Sequence, residues 1–121
     1  MKPINLLIFS SLLTLHCFAE DATDYKKFTG NYQIYGGELG DTSPPQMTDK
    51  KISIILDNKA SKEIFDAIGP NLTGPEICVS NPKDKYRKKG NIQCIHDYKG
   101  GYSCTFGFNL INGKSIIGSI C

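Results

Sequence analysis

Apolar and polar positions alternate most regularly in the last third of the chain. NIQCIH, YSCTFGFNL and KSIIGSIC are separated by DYKGG and by Asn112-Gly113, a pattern that predicts strand, turn, strand, tight turn, strand, hence an antiparallel meander. Upstream, NYQIYGG from Asn31 sets Tyr32 and Ile34 against Gln33 and Tyr35 and halts at Gly36-Gly37, which predicts a strand ending in a turn. KISIILD from Lys51 is rich in β-branched residues, with Ile52, Ile54 and Leu56 on one face and Ile55 turned toward a second layer. This is the best central strand of the first half. The intervening residues 38–49 hold Gly40, Asp41, Ser43, Pro44 and Pro45 and predict an extended loop, because proline has no N–H to give to a ladder.

After Asp57-Asn58 the period changes. Ser61, Ile64, Phe65 and Ile68 recur at helical spacing while Lys62, Glu63 and Asp66 fall on the opposite side, predicting a short amphipathic helix from about Lys59 to Ile68. Gly69 can take a left-handed terminating conformation and Pro70 cannot continue the helix, so the stop is well defined. Residues 70–82 carry Gly74-Pro75 and Asn81-Pro82 around Cys78 and read as a loop that a disulfide would pin.

The turns propose a register. A five-residue turn from Asp97 to Gly101 sets Cys94 opposite Cys104, and a two-residue turn at Asn112-Gly113 sets Cys104 opposite Cys121, so three cysteines would form one row. Ile92, Cys94, Tyr102, Phe106, Phe108, Leu110 and Ile117 then share an apolar face on which the helix packs. The fold class is α+β: a small antiparallel β-sheet, made of the C-terminal three-stranded meander and one or two N-terminal strands, with one short helix on a face.

The N-terminus changes the cellular picture. Lys2 precedes an apolar run from Ile4 to Phe18 that ends at the small residue Ala19 before Glu20-Asp21, the layout of a cleavable secretion signal over residues 1–19. The run is too short for a transmembrane anchor. Lipid attachment at Cys17 is disfavoured, because the preceding residue, His16, is not small. Residues 20–30 form a flexible lead-in and residues 31–121 a single domain. Removing the signal takes one of 14 basic residues and none of 12 acidic ones, so the formal charge falls from +2 to +1 and no long-range charge argument remains.

Of five cysteines, Cys17 leaves with the signal. Cys78, Cys94, Cys104 and Cys121 remain, an even set in an oxidising compartment, and predict two disulfides. Three connectivities are open. Cys104 with Cys121 and Cys78 with Cys94 is favoured, since it ties the loop to the sheet and locks the terminus. The spacings lack the close pairs of a zinc site, and no motif for another cofactor is present.

Candidate chemistry is sparse. His96 is the sole histidine beyond the signal and is followed by Asp97; it could act as a general base, but consecutive strand residues point to opposite faces, and a strand-end histidine paired with Tyr102 is the simpler reading. Lys83, Lys85, Tyr86, Arg87, Lys88 and Lys89 in KDKYRKK could grip an anionic envelope polymer, a lipid headgroup or an acidic partner; alternatively they blunt an edge strand against unwanted pairing. Nucleic acid is not an expected partner of an exported, nearly neutral chain. Gly107 and Gly118 face each other in the proposed register and would admit a close backbone or ring. The six tyrosines, in a chain without tryptophan, suit binding surfaces or the rim of a core. Asn71-Leu72-Thr73 is a glycosylation sequon only in a eukaryotic secretory pathway.

The segments ASKEIFDAIGP and GYSCTFGFNLINGKSIIGSIC resemble small exported bacterial proteins, some lipid-anchored, that end in a similar glycine-rich, cysteine-terminated hairpin. The likeness spans roughly residues 32–121. It implies export and disulfides and carries no activity with it. The expected function is an exported binding module, such as an inhibitor or protective partner acting in the cell envelope. The alternatives are a small secreted hydrolase or toxin using His96, and a structural envelope component.

Overall fold

The computed structural model of the protein describes Met1, Pro3 and residues 24–75 and 77–121. The segment expected to be a secretion signal, residues 1–19 with Cys17, falls almost wholly outside these residues. Seven strands and one helix follow in order: β1 (Gly30–Glu38), β2 (Asp41–Ser43), β3 (Lys51–Asp57), α1 (Asn58–Ala67), β4 (Lys85–Lys89), β5 (Ile92–His96), β6 (Tyr102–Asn109) and β7 (Ser115–Ile116). All pairings are antiparallel, in the order β2-β1-β3-β6-β5-β4, with β7 also on β6. The α+β class is as expected, with β3 and β6 at the centre.

Strand alternation gives the sheet two unlike faces. On the first, Leu56 and Cys94 both lie opposite Cys104, and α1 packs over this row. Phe65 is buried against Cys94 and Cys104, with Ile64, Ile68, Ile92 and Tyr102 around them. Ser61 stands among the apolar positions of the helix because its hydroxyl is used: it donates to the Leu56 carbonyl and accepts from the Cys104 amide. Those groups face each other across β3 and β6, so one wholly buried hydroxyl bridges the strands and fastens the helix to both. Arg87 secures the other end, donating to the Phe65 carbonyl at 2.7 Å and to Asn71 Oδ1 at 2.8 Å while lying over the Phe65 ring. A cation beside carbonyls of the last turn also suits the helix dipole.

The helix is shorter than the face it covers. Beyond its reach the rows Ile34–Ile52–Phe108 and Tyr32–Ile54–Phe106 continue across β1, β3 and β6. Tyr32 is 72% exposed and Phe108 38%.

The C-terminal hairpin departs from the expected register. Gly107 pairs with Ile116 and Phe108 with Ser115, which makes a four-residue loop, Leu110 to Gly113, in place of a two-residue Asn112-Gly113 turn. Asn109 closes the loop, its amide donating to Lys114 O and its side chain accepting from Ile111 N. β6 is already paired with β3 from Ser103 to Asn109, so β7 must lie on the same edge as β5, beyond its end. β7 stops after Ile116, and the chain then leaves the sheet edge and crosses the second face. Cys121 is therefore not opposite Cys104, and Ile117 is not under the helix.

The disulfides follow from this path. They join Cys94 to Cys104, with a Cα–Cα separation of 4.1 Å, and Cys78 to Cys121, at 5.1 Å. The favoured pairing of Cys104 with Cys121 and Cys78 with Cys94 is thus overturned. Cys94 and Cys104 are directly opposed neighbours, so they bond to each other, and the terminus is carried across the sheet to the loop at Cys78.

β1 also runs further than its glycines suggest. It continues through Gly36-Gly37 and changes partner from β3 to β2. Gly37 has φ +71°, a conformation glycine adopts without steric cost, and both its polar groups are held. Its amide donates to Asp49 Oδ2 and its carbonyl accepts from Lys51 Nζ, each at 2.7 Å, while Lys51 also reaches Asp49 Oδ1 at 2.7 Å.

Candidate functional site

The second face carries Gln33, Tyr35, Ser53, Ile55, Tyr86, Lys88, Gln93, Thr105 and Gly107, a polar set, and its cover is the C-terminal segment. Residues 117–121 run across it so closely that a Cβ on Gly118 would meet the Phe106 backbone at 2.5 Å, which is why glycine stands there. The close backbone approach anticipated at Gly107 and Gly118 exists, although the two do not pair. Ser53 donates to the Gly118 carbonyl. Thr105 and Ser119 hydroxyls lie 2.9 Å apart, Ser119 donates to Gln93 Oε1 at 2.8 Å, and Gln93 Nε2 donates to the Tyr86 hydroxyl at 3.0 Å. Buried polar groups are costly unless bonded, and here each of these side chains has at least one polar partner.

The segment does not fill the space. A cavity of about 910 Å³ opens between it, the residues around Cys78 and the β1–β2 hairpin. Its floor includes Tyr35, Tyr86 and Gln93; Leu72, Ile77 and Ile120 supply apolar walls; Lys51, Lys88 and Glu38 add charge, and both Cys78 and Cys121 border it. Ile117, expected on the helix face, lines this cavity instead. Lys51 is committed to Asp49, which holds the Asp49 carboxyl below its ordinary range, helped by the Gly37 amide, and raises Lys51 in turn. Burial pushes the Tyr35 phenol up.

The basic run divides between the faces, because it is strand β4 at the edge of the sheet. Tyr86 and Lys88 line the cavity. Arg87 points the other way and is occupied by the helix end and Asn71. Lys85 sits opposite His96 and Lys89 opposite Ile92, and Lys83 and Lys85 border a smaller depression of about 230 Å³ with His96, Asp97 and Tyr98. The structure does not gather these six residues into one patch. Leu72, inside the sequon, donates from its amide to the Tyr86 carbonyl and covers part of the outer edge.

His96 stacks on Tyr102, rings parallel at 4.0 Å, with Phe65 edge-on at 5.8 Å. Asp97 does not orient it: Asp97 Oδ1 accepts from the amides of Lys99 and Gly101 and shapes the turn. Among the described residues no three His, Cys, Asp or Glu side chains gather as a metal would require, and no helix is long and apolar enough to cross a membrane.

Sequence reasoning missed Tyr35, Gln93 and Ser119 as site residues. The available signal was polar residues at alternate strand positions opposite the apolar ones. Comparison with protein-family models, with curated proteins and with solved structures finds no match to this chain.

Proposed function

We propose that this protein is an exported binding module, periplasmic or secreted, whose site is the cavity beneath the C-terminal segment. The observation that carries this reading is a cavity of about 910 Å³ with polar groups on its floor and apolar walls, within the size and chemistry of small-ligand sites. Two disulfides are what an oxidising compartment produces, and the signal-like segment before Ala19 supports delivery there in soluble form, with His16 against acylation at Cys17. A rigid, covalently tied wall lowers the ordering cost of binding. The stacked His96 ring and the engagement of Asp97 in its own turn favour a structural part for that pair; His96→Ala is expected to match wild type on envelope polymers.

The test is a heteronuclear NMR titration of the oxidised protein against a fragment library and fractionated envelope extract. Shifts concentrated at Tyr86, Gln93 and Ile120 are expected. Saturable binding elsewhere, with those resonances unmoved, would remove the cavity as the site.

A second reading, an inhibitor or protective partner that docks on another protein, draws on the uncovered apolar rows ending in Tyr32 and Phe108. It predicts shifts on that face and none at the cavity.

A further inference from the structure

Resting on the cavity as the binding site, we propose that its ligand is an amphipathic anion: an apolar body bearing one anionic acceptor group, such as a fatty carboxylate or a lipid phosphate. The argument begins with the direction of the hydrogen-bond chain on the cavity floor. Ser119 gives its proton to Gln93 Oε1 at 2.8 Å, which leaves Thr105, 2.9 Å from Ser119 and 3.5 Å from the same Gln93 oxygen, as the donor to both. Gln93 therefore presents its Nε2 to Tyr86, whose oxygen accepts at 3.0 Å. A phenol that has accepted still has a proton to give, and among the described residues that proton has no acceptor. Tyr86 is only 3% exposed and lines the cavity. The chain thus runs Thr105 to Ser119 to Gln93 to Tyr86 and ends on a donor addressed to whatever occupies the cavity. Donors at the end of such chains are polarised by those behind them.

The lining holds Lys51, Lys88 and one carboxylate, Glu38, and the cation on the same strand face as the phenol gives the acceptor its sign. Lys88 lies on the same face two residues along β4 and opposite Gln93; it lines the cavity and, unlike Lys51, is not held by a carboxylate among the described residues. A hydroxyl donor beside an ammonium fits an oxyanion. Leu72, Ile77, Ile116 and Ile120 offer aliphatic surface to a chain or ring, with Thr73, Asn91 and Ser115 also on the lining.

The experiment is calorimetric titration of the oxidised protein with decanoate, decyl phosphate and decanol, repeated with Tyr86→Phe and Lys88→Gln. Decanoate and decyl phosphate are expected to bind at least tenfold more tightly than decanol; the stronger of the two identifies the head group. Tyr86→Phe is expected to weaken both anions about tenfold, and Lys88→Gln about fivefold, with decanol unaffected by the latter. Lys88 is exposed, so its variant keeps the fold even if loss of the Tyr86 hydroxyl unsettles Gln93; near-ultraviolet circular dichroism verifies both. Equal affinity for decanol and decanoate, or anion binding indifferent to Lys88, overturns the ligand class while leaving the cavity as a site. If no amphiphile binds but other fragments shift the cavity resonances, the ligand class again falls alone. Failure of every compound at the cavity overturns both.

Discussion

The same strands build two faces that differ in almost every physical respect. Cys94 and Cys104 sit on one side of β5 and β6, and their sequence neighbours Gln93 and Thr105 on the other. Under α1 the contacts are mostly apolar and close, and one wholly buried hydroxyl, that of Ser61, is admitted because it satisfies two backbone groups at once. Under the C-terminal segment the contacts are hydrogen bonds in series, and space is left over. What covers a sheet decides which chemistry its alternate residues can hold. A helix satisfies its own backbone and brings a dry apolar face. An irregular tail carries unpaired N–H and C=O groups, so the face beneath it needs polar partners. The tail is also too narrow to fill the face, and the residual volume becomes a site.

The contrast can be broken most directly at Phe65. Phe65→Ala removes the ring that covers the Cys94–Cys104 disulfide and supports Arg87, and should destabilise by about 3–5 kcal/mol in denaturant unfolding. Ser119→Ala on the other face should cost about 1 kcal/mol. Equal losses would mean that the two faces contribute alike.

Next in size, replacing Cys78 and Cys121 together with serine should cost about 2–4 kcal/mol. It should raise amide exchange at Ser53, Ser119 and Ile120 while the helix amides keep their protection. A non-reduced peptide map of the wild type should contain Cys78 linked to Cys121 and Cys94 linked to Cys104; any other linkage would undo the division of the faces.

Ser61→Ala leaves the Leu56 carbonyl and the Cys104 amide without their shared partner, and about 1–3 kcal/mol should be lost. A smaller loss measured by urea titration would mean that the two strands close their own ladder bond when the hydroxyl is gone.

The smallest effect is one of pH at the rim of the cavity. Asp49 is lowered in the folded state, chiefly by the hydrogen bond from Lys51. Its contribution is present above the unfolded carboxyl value and is lost as pH falls through the folded one. Lys51 is raised, so its contribution is present below the unfolded amine value and is lost as pH rises through the folded one. Unfolding midpoints followed from pH 7 down to pH 3 should fall less in Asp49→Asn than in wild type. Identical profiles would show that the Gly37 corner is held by its backbone alone.

Much of the dry face was legible in the chain. Ile52, Ile54 and Leu56 carry the two-residue period, Ser61, Ile64, Phe65 and Ile68 the helical one, and both are local. The turn from Asp97 to Gly101 is short enough to set its own register, and the opposition of Cys94 and Cys104 followed. The wet face was not legible, because it depends on which edge of β6 is free. β3 takes one edge, through contacts roughly 50 residues apart along the sequence; only then is β7 confined to two residues and the tail sent across the sheet. The basic run misled for a related reason: five basic side chains within the seven residues 83–89 look like a patch until the strand period sends Arg87 to the helix and Lys88 to the cavity.

Periodicity, turn composition and an even number of cysteines beyond Cys17 determined that this chain makes an α+β sheet with a short helix. Those signals act over a few residues, where backbone geometry leaves few choices. The tertiary structure alone decided which sulfurs join, where the terminus lies and that a cavity remains beneath it, because each depends on the packing of segments far apart in sequence.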